Sequence, residues 1–182
     1  MASFGGKPLK IHIIGHSFVT RLKDFIRLNK DFTFFLNLRP MDYLVQFSGF
    51  AGASVSTLRE KLDVVSDFEP DILFLLIGTN DLYNDSANST AQKITDLVDT
   101  YHHILNIKYV FVAQITYRLP PQQPTRYPVD IVSFNEKVDE VNNILRINFH
   151  PEPFTSVWKL KGYGIAAPGH PPRWRSSDSA GK

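Results

Sequence analysis

The segment Asp71-Ile-Leu-Phe-Leu-Leu-Ile77 is apolar without alternation. A strand with one wet face alternates polar and apolar side chains, so an unbroken run of this length is read as a strand buried on both faces, the condition of strands in a parallel sheet covered by helices. It is expected to form the centre of a sheet, and the rest of the chain is arranged to suit.

Ile11-His-Ile-Ile14 is a short apolar strand that ends in Gly15-His-Ser17, after which Phe18, Leu22, Phe25 and Ile26 recur at helical spacing. Tyr43 to Phe47 reads as a second strand. Ser54 is placed to cap a helix carrying Val55, Leu58, Leu62 and Val65 on one face. Ser89 with Gln92 forms a capping-box pattern ahead of Ile94, Leu97, Val98, Tyr101, Ile104 and Leu105. Tyr109 to Ile115 is a fourth strand. Ser133 with Glu136 opens a last helix, with Val138, Val141, Leu145 and Phe149 near one face, and Phe154 to Leu160 is a fifth strand.

Strands alternating with helices predict parallel βαβ units with right-handed crossovers, hence a five-stranded parallel sheet covered on both sides, a flavodoxin-like three-layer α/β/α sandwich. The 182 residues suit one such domain, over residues 1–160. Beyond it, 161–182 is rich in Gly, Pro and Ser, and is expected to be an irregular tail that leaves part of one sheet face without a helix. Pro120, Pro121, Pro124 and Pro128 make the stretch after strand four a long loop.

A net charge of +2 is too slight to demand nucleic acid or an anionic membrane as partner. There is no cysteine, which excludes disulfides, thiolate metal sites and cysteine nucleophiles. No run reaches the roughly 18 apolar residues of a membrane helix, and the start of the chain has no apolar secretory core, so the expected location is cytoplasmic.

In an open α/β sheet ligands bind at the carboxyl ends of the strands. Gly15-His-Ser17 lies where strand one meets a helix N-terminus, where backbone N–H groups favour negative charge. By itself such a serine is more often a helix cap than a nucleophile. Gly49-Phe-Ala-Gly-Ala-Ser54 follows strand two, and a glycine there lets a backbone amide approach a ligand. Gly78-Thr-Asn-Asp81 follows the buried strand three, where Asn80 can offer its side-chain amide. Three such motifs ending three successive strands weigh more than any one.

These blocks resemble those of the SGNH hydrolases, whose first block is Gly-Asp-Ser, whose second offers a glycine, whose third is Gly-x-Asn-Asp and whose fifth is Asp-x-x-His. Gly15-His16-Ser17 is similar to the first, Gly52 is the choice for the second, and Gly78-Thr79-Asn80-Asp81 matches the third. The resemblance implies that Ser17 attacks the carbonyl of a small ester substrate, with the Ser17 and Gly52 N–H groups and the Asn80 amide as oxyanion hole. It implies neither cofactor nor metal.

Two departures stand out. His16 replaces the usual aspartate and is read as a polar turn residue. No Asp-x-x-His follows the fourth strand, where the family carries it; the one such spacing in the chain, Asp99-Thr-Tyr-His102, falls in the amphipathic helix before that strand, and a serine hydroxyl without a base is a poor nucleophile at neutral pH. His170, in Pro168-Gly-His-Pro-Pro172 after strand five, is the candidate base; His150 lies before that strand, and His12, His102 and His103 belong to elements where packing or exposure explains them.

Arg173-Trp-Arg-Ser-Ser-Asp-Ser179, reverse-translated with degenerate codons, permits a string that encodes Asp-Gly-Val-His-Leu-Thr one nucleotide later. A frameshift would account for the lost block. The second reading is a non-catalytic SGNH-like domain that binds RNA or a protein, with Arg173, Trp174 and Arg175 suited to stacking and phosphate contacts; a flavodoxin-like nucleotide binder lacks the glycine-rich phosphate motifs. Oligomeric state cannot be read from the sequence.

Overall fold

A computed structural model describes residues 7–29, 36, 38–120 and 129–159. The elements run β1 (Leu9–His16), α1 (Ser17–Leu28), β2 (Tyr43–Phe50), α2 (Val55–Arg59), α3 (Leu62–Ser66), β3 (Ile72–Leu76), a 3-10 turn (Asp81–Tyr83), α4 (Ala87–His103), β4 (Tyr109–Ala113), α5 (Ile131–Phe149) and β5 (Thr155–Trp158). All five strands are parallel, in the order β2-β1-β3-β4-β5. The sheet thus grows in one direction from β1 to β2 and in the other from β3 onward. The reversal falls between β1 and β3, the position at which open α/β sheets form their ligand crevice.

β3 is the central strand, paired with β1 through Ile11↔Ile72 to Gly15↔Leu76 and with β4 through Ile72↔Tyr109 to Leu75↔Val112. Leu73, Leu75 and Ile77 enter the main core beside Ile14, Val110 and Val112, closed by Val55, Leu58 and Val65 of α2 and α3, by Ile94, Leu97 and Tyr101 of α4, and by Val138, Val141 and Leu145 of α5. The opposite face holds a smaller core, with Ile13, Leu76 and Ala113 packed with Val19 of α1. Among the described residues α1 is the one helix on that face, lying over β1 and β2. Further along it Phe74 stacks on Phe111 at 5.0 Å and meets the half-exposed Trp158 edge-on at 5.6 Å. At Gly15 the strands crowd most, since a Cβ there would lie 2.1 Å from the Leu76 carbonyl oxygen.

Several boundaries differ from the sequence reading. α4 is capped by Ser86, whose side chain accepts the Ser89 N–H, and α5 by Asp130, which accepts the N–H groups of Val132 and Ser133. Each cap lies one turn before the serine expected to supply it, because Ala87, Thr90 and Phe134 already belong to the buried face. The helix expected from Ser54 through Val65 is two helices, separated at Lys61, whose backbone (φ −112, ψ 30) is not helical. No Gly or Pro announces that break. α4 ends at His103, leaving Ile104 66% exposed. β2 runs on to Phe50, while β4 and β5 stop at Ala113 and Trp158. The 161–182 tail and Pro121, Pro124 and Pro128 lie outside the described residues.

His12 is fully buried in β1, 2.9 Å from Ser48 Oγ through Nε2, with the Phe68 ring edge-on at 5.4 Å and no partner for Nδ1. Burial lowers its pKa from 6.5 to about 4, so the folded protein holds the ring neutral while the unfolded chain takes up a proton. Its contribution to stability is complete above pH 6.5 and is lost as pH falls from 6.5 through about 4, by up to about 1.4 kcal/mol per pH unit. Urea midpoints measured on both sides of that window should show this loss, and a His12→Gln variant should lack it relative to the parent.

Candidate active site

β1 delivers His16 and α1 begins at Ser17. The cap of α1 is His16: its Nδ1 accepts the Phe18 N–H at 3.2 Å. With Nδ1 accepting, the ring proton sits on Nε2, 3.5 Å from Thr79 Oγ1. Capping therefore does not consume the Ser17 hydroxyl, which has no hydrogen-bond partner among the described residues. The polar turn role expected of His16 is thus a capping role. Burial lowers the His16 pKa, and the charges of Arg118 and Arg21 lower it further, so the ring is neutral at pH 7.

The loop after β2 turns through Phe50-Ala-Gly-Ala53, closed by the Ala53 N–H on the Phe50 carbonyl at 3.2 Å. Gly52 occupies its third position with φ +69, the left-handed backbone such a turn requires and glycine tolerates. Gly52 is exposed, and its N–H has no acceptor among the described residues. The loop after β3 is tied directly to this turn. Asn80 Nδ2 donates to the Ala53 carbonyl at 2.9 Å, which engages one of its two amide protons. The buried Asp81 carboxylate accepts the Val55 N–H at 3.1 and 3.2 Å. Burial raises the Asp81 pKa, Asp85 adding to the rise, against the opposing backbone N–H bonds of Val55 and Asp81 and the charge of Lys93.

Ser17, Gly52 and Asn80 thus all follow the carboxyl ends of β1, β2 and β3 on one rim of the sheet. Beside His16 lies a hollow of about 30 Å³, lined also by Phe18, Leu76, Thr79, Gln114 and Ile115. Its far wall belongs to the stretch after β4, which α5 holds by side chains. Asn142 brackets Ile115, accepting its N–H at 2.8 Å and donating to its carbonyl at 2.8 Å. Asn135 does the same for Arg118, at 2.9 and 3.0 Å, and between them Tyr117 donates to Asp139. The sequence reading passed over these residues. The signal available was Asn135, Asp139 and Asn142 at i, i+4 and i+7, polar groups sharing one helix side next to the apolar stripe.

No histidine in the described residues serves Ser17. His12 is buried in β1, and His16 turns to Phe18 and Thr79. His102 bonds the Ile107 carbonyl and Thr155 Oγ1, both at 2.7 Å, while His103 and His150 are exposed at helix ends. His170 lies outside the described residues. Among the described residues no three His, Asp or Glu side chains come together as metal ligands would, and no helix is long and apolar enough to cross a membrane.

The model of the GDSL-like lipase/acylhydrolase family matches residues 27–151. The chain belongs to this family. The matched stretch contains Gly52 and Asn80 and begins after Ser17. No curated protein sequence matches the chain. Among solved structures it is similar to a putative GDSL-like lipase from Parabacteroides merdae, at 16% identity and TM-score 0.59, covering 80% of this chain and 74% of that one. It is similar to a protein described as a putative platelet activating factor from Streptococcus pneumonia, at 18% identity and TM-score 0.61, covering 86% and 68%. It is also similar to AlinE4, an SGNH-hydrolase family esterase, at 14% identity and TM-score 0.56, covering 85% and 77%. At these identities the likeness is one of fold, the five-stranded SGNH α/β architecture.

The tie between the GDSL-family loops can be tested at Asp81. Asp81→Ala leaves the Val55 N–H without its acceptor and should cost about 1–3 kcal/mol. Asp81→Asn keeps an acceptor and removes a charge that burial disfavours. Because the folded-state pKa is raised, the parent is most stable relative to Asp81→Asn at low pH, and that advantage should shrink as pH rises through the raised pKa. Urea titrations of both variants across the acid range measure the two effects.

Proposed function

We propose that this chain is a serine ester hydrolase centred on Ser17, Gly52 and Asn80, with turnover held low because no Asp-x-x-His block follows β5 in its sequence. The observation that carries the reading is the Ser17 hydroxyl, without a hydrogen-bond partner among the described residues at the start of α1 beside the β1/β3 reversal, in a chain of the GDSL-like family.

In this mechanism Ser17 Oγ attacks the ester carbonyl and its proton passes to a base. Charge collects on the carbonyl oxygen of the tetrahedral intermediate, where the Ser17 N–H, the Gly52 N–H and the remaining Asn80 amide proton donate. Each such donor is worth about 3 kcal/mol when aimed at the developing charge. Collapse expels the alcohol and leaves an acyl-serine, which water hydrolyses. The Asn80–Ala53 and Asp81–Val55 bonds hold two of the donors in place before substrate arrives, so little reorganisation is needed as charge develops.

The acid–base end is the weak part. His16 is neutral at pH 7 but is engaged in capping α1, which leaves His170 as the candidate base. Loss of a triad base from a serine hydrolase removes several orders of magnitude in rate. The lost block has a concrete explanation in a frameshift near Arg173, and the coding DNA tests it: the alternate frame should read Asp-x-x-His there.

A fluorophosphonate probe read by mass spectrometry should label Ser17, slowly, and Ser17→Ala should abolish labelling. Turnover of 4-nitrophenyl acetate should be weak and Ser17-dependent, and His170→Ala should bring it towards the Ser17→Ala level. Absence of any Ser17 labelling, or turnover that survives Ser17→Ala, would overturn the proposal.

A further inference from the structure

Arg118 is held more firmly than an exposed loop arginine needs to be. Its backbone N–H and carbonyl are both bonded to the Asn135 side chain, at 2.9 and 3.0 Å. Its guanidinium lies 4.5 Å from the centre of the Tyr83 ring and 5.0 Å from that of Phe134, between the turn after β3 and the first turns of α5. Cation–π contacts on two rings fix the plane of the group without using its N–H donors. Arginine rigidly placed in this way is ordinarily matched by a carboxylate. Here it forms no ion pair among the described residues, and its Nε, closed off from solvent, has no acceptor. A buried donor without an acceptor costs stability, so its retention calls for a reason.

The position of the group supplies one. Arg118 lies close enough to His16 for its charge to act on that ring, and Arg21 of α1 acts on the same ring from its own side. Both charges that act appreciably on His16, next to Ser17, are therefore positive. The neighbouring carboxylate at the rim, Asp81, is already occupied by the Val55 N–H. A rim with two arginines and no competing free carboxylate among the described residues favours an anion next to the scissile bond, and a planar guanidinium recognises a carboxylate or phosphate through paired hydrogen bonds.

We propose that Arg118 is a specificity-determining residue that selects esters carrying an anionic group, a carboxylate or a phosphate, close to the ester bond. This rests on the reading of Ser17 as the nucleophile, but recognition by Arg118 needs no reaction. Arg118 and its aromatic clamp form a preorganised donor edge, and Arg21 adds long-range attraction.

The test is binding to Ser17→Ala, which keeps ester ligands intact, followed by NMR of the His16 ring. The probes are 4-acetoxybenzoate and its neutral counterpart 4-acetoxybenzamide, which differ in charge and hardly in shape. A charge-assisted contact should make the benzoate bind about tenfold more tightly or better at low salt. The preference should shrink as salt is raised, vanish in Arg118→Gln and survive in part in Arg118→Lys. Equal binding of the two probes, or a preference that persists in Arg118→Gln, overturns the inference. Thermal melting checks that Arg118→Gln is folded; if it is not, Arg118→Lys and the salt dependence in the parent background decide. Inorganic phosphate as competitor distinguishes the anions, since displacement of the benzoate by phosphate marks a site that accepts either. Failure of Ser17 labelling with the charge preference intact would reject the hydrolase reading alone, whereas labelling without the preference would reject the role of Arg118 alone.

Discussion

Pairing of β1 with β2 on one side and β3 on the other is the constraint from which the site follows. All strands are parallel, so every strand ends on the same rim, and the connections that leave β1 and β3 must diverge to opposite faces of the sheet. That divergence opens a gap above the β1/β3 seam. Ser17 follows β1, Asn80 follows β3 and Gly52 follows β2 on this rim. Gly15 is the price of that seam, since no side chain fits between it and the Leu76 carbonyl.

Parallel pairing brings loops to the rim but does not hold them there, because the ladder ends with the strands. In this protein the holding is done by side chains that satisfy backbone groups. Asn80 and Asp81 bond the backbone of the segment following β2, and Asn142 and Asn135 bond the backbone of the stretch following β4. Asn142 and Asn135 each both accept and donate, copying the pairing of a strand edge. Such bonds keep buried backbone groups satisfied outside regular structure and reduce the freedom of the rim. The same economy appears at α1, where an imidazole rather than the Ser17 hydroxyl serves as the cap.

Much of this was legible in the amino-acid order. The run Ile72–Leu76 announced a strand buried on both faces because both faces do carry apolar partners. The stripes Ile94–Leu97–Val98–Tyr101 and Val138–Val141–Leu145–Phe149 are the buried faces of α4 and α5. Cap positions were less legible. Ser89 and Ser133 have the right spacing to a Gln and a Glu, but Ser86 and Asp130 one turn earlier cap the helices instead, because burial of Ala87 and Phe134 extends the helices towards them. Ile104 looked like a core residue at helical spacing, yet the chain leaves the helix at that point and exposes it.

What the sequence by itself determined is the order and type of the elements and the family to which they belong. Those depend on local periodicity and on short motifs such as Gly78-Thr-Asn-Asp81, which are properties of neighbouring residues. Only the tertiary structure decided that His16 caps α1, that Asn135 grips Arg118 from 17 residues away, and that Arg118 lies against Tyr83 and Phe134 with its charge acting on His16. Those facts depend on contacts between elements distant in the chain, and a contact of that kind has no local period to betray it. It exists only once the sheet has brought the strand ends together and burial has chosen which polar groups must find one another.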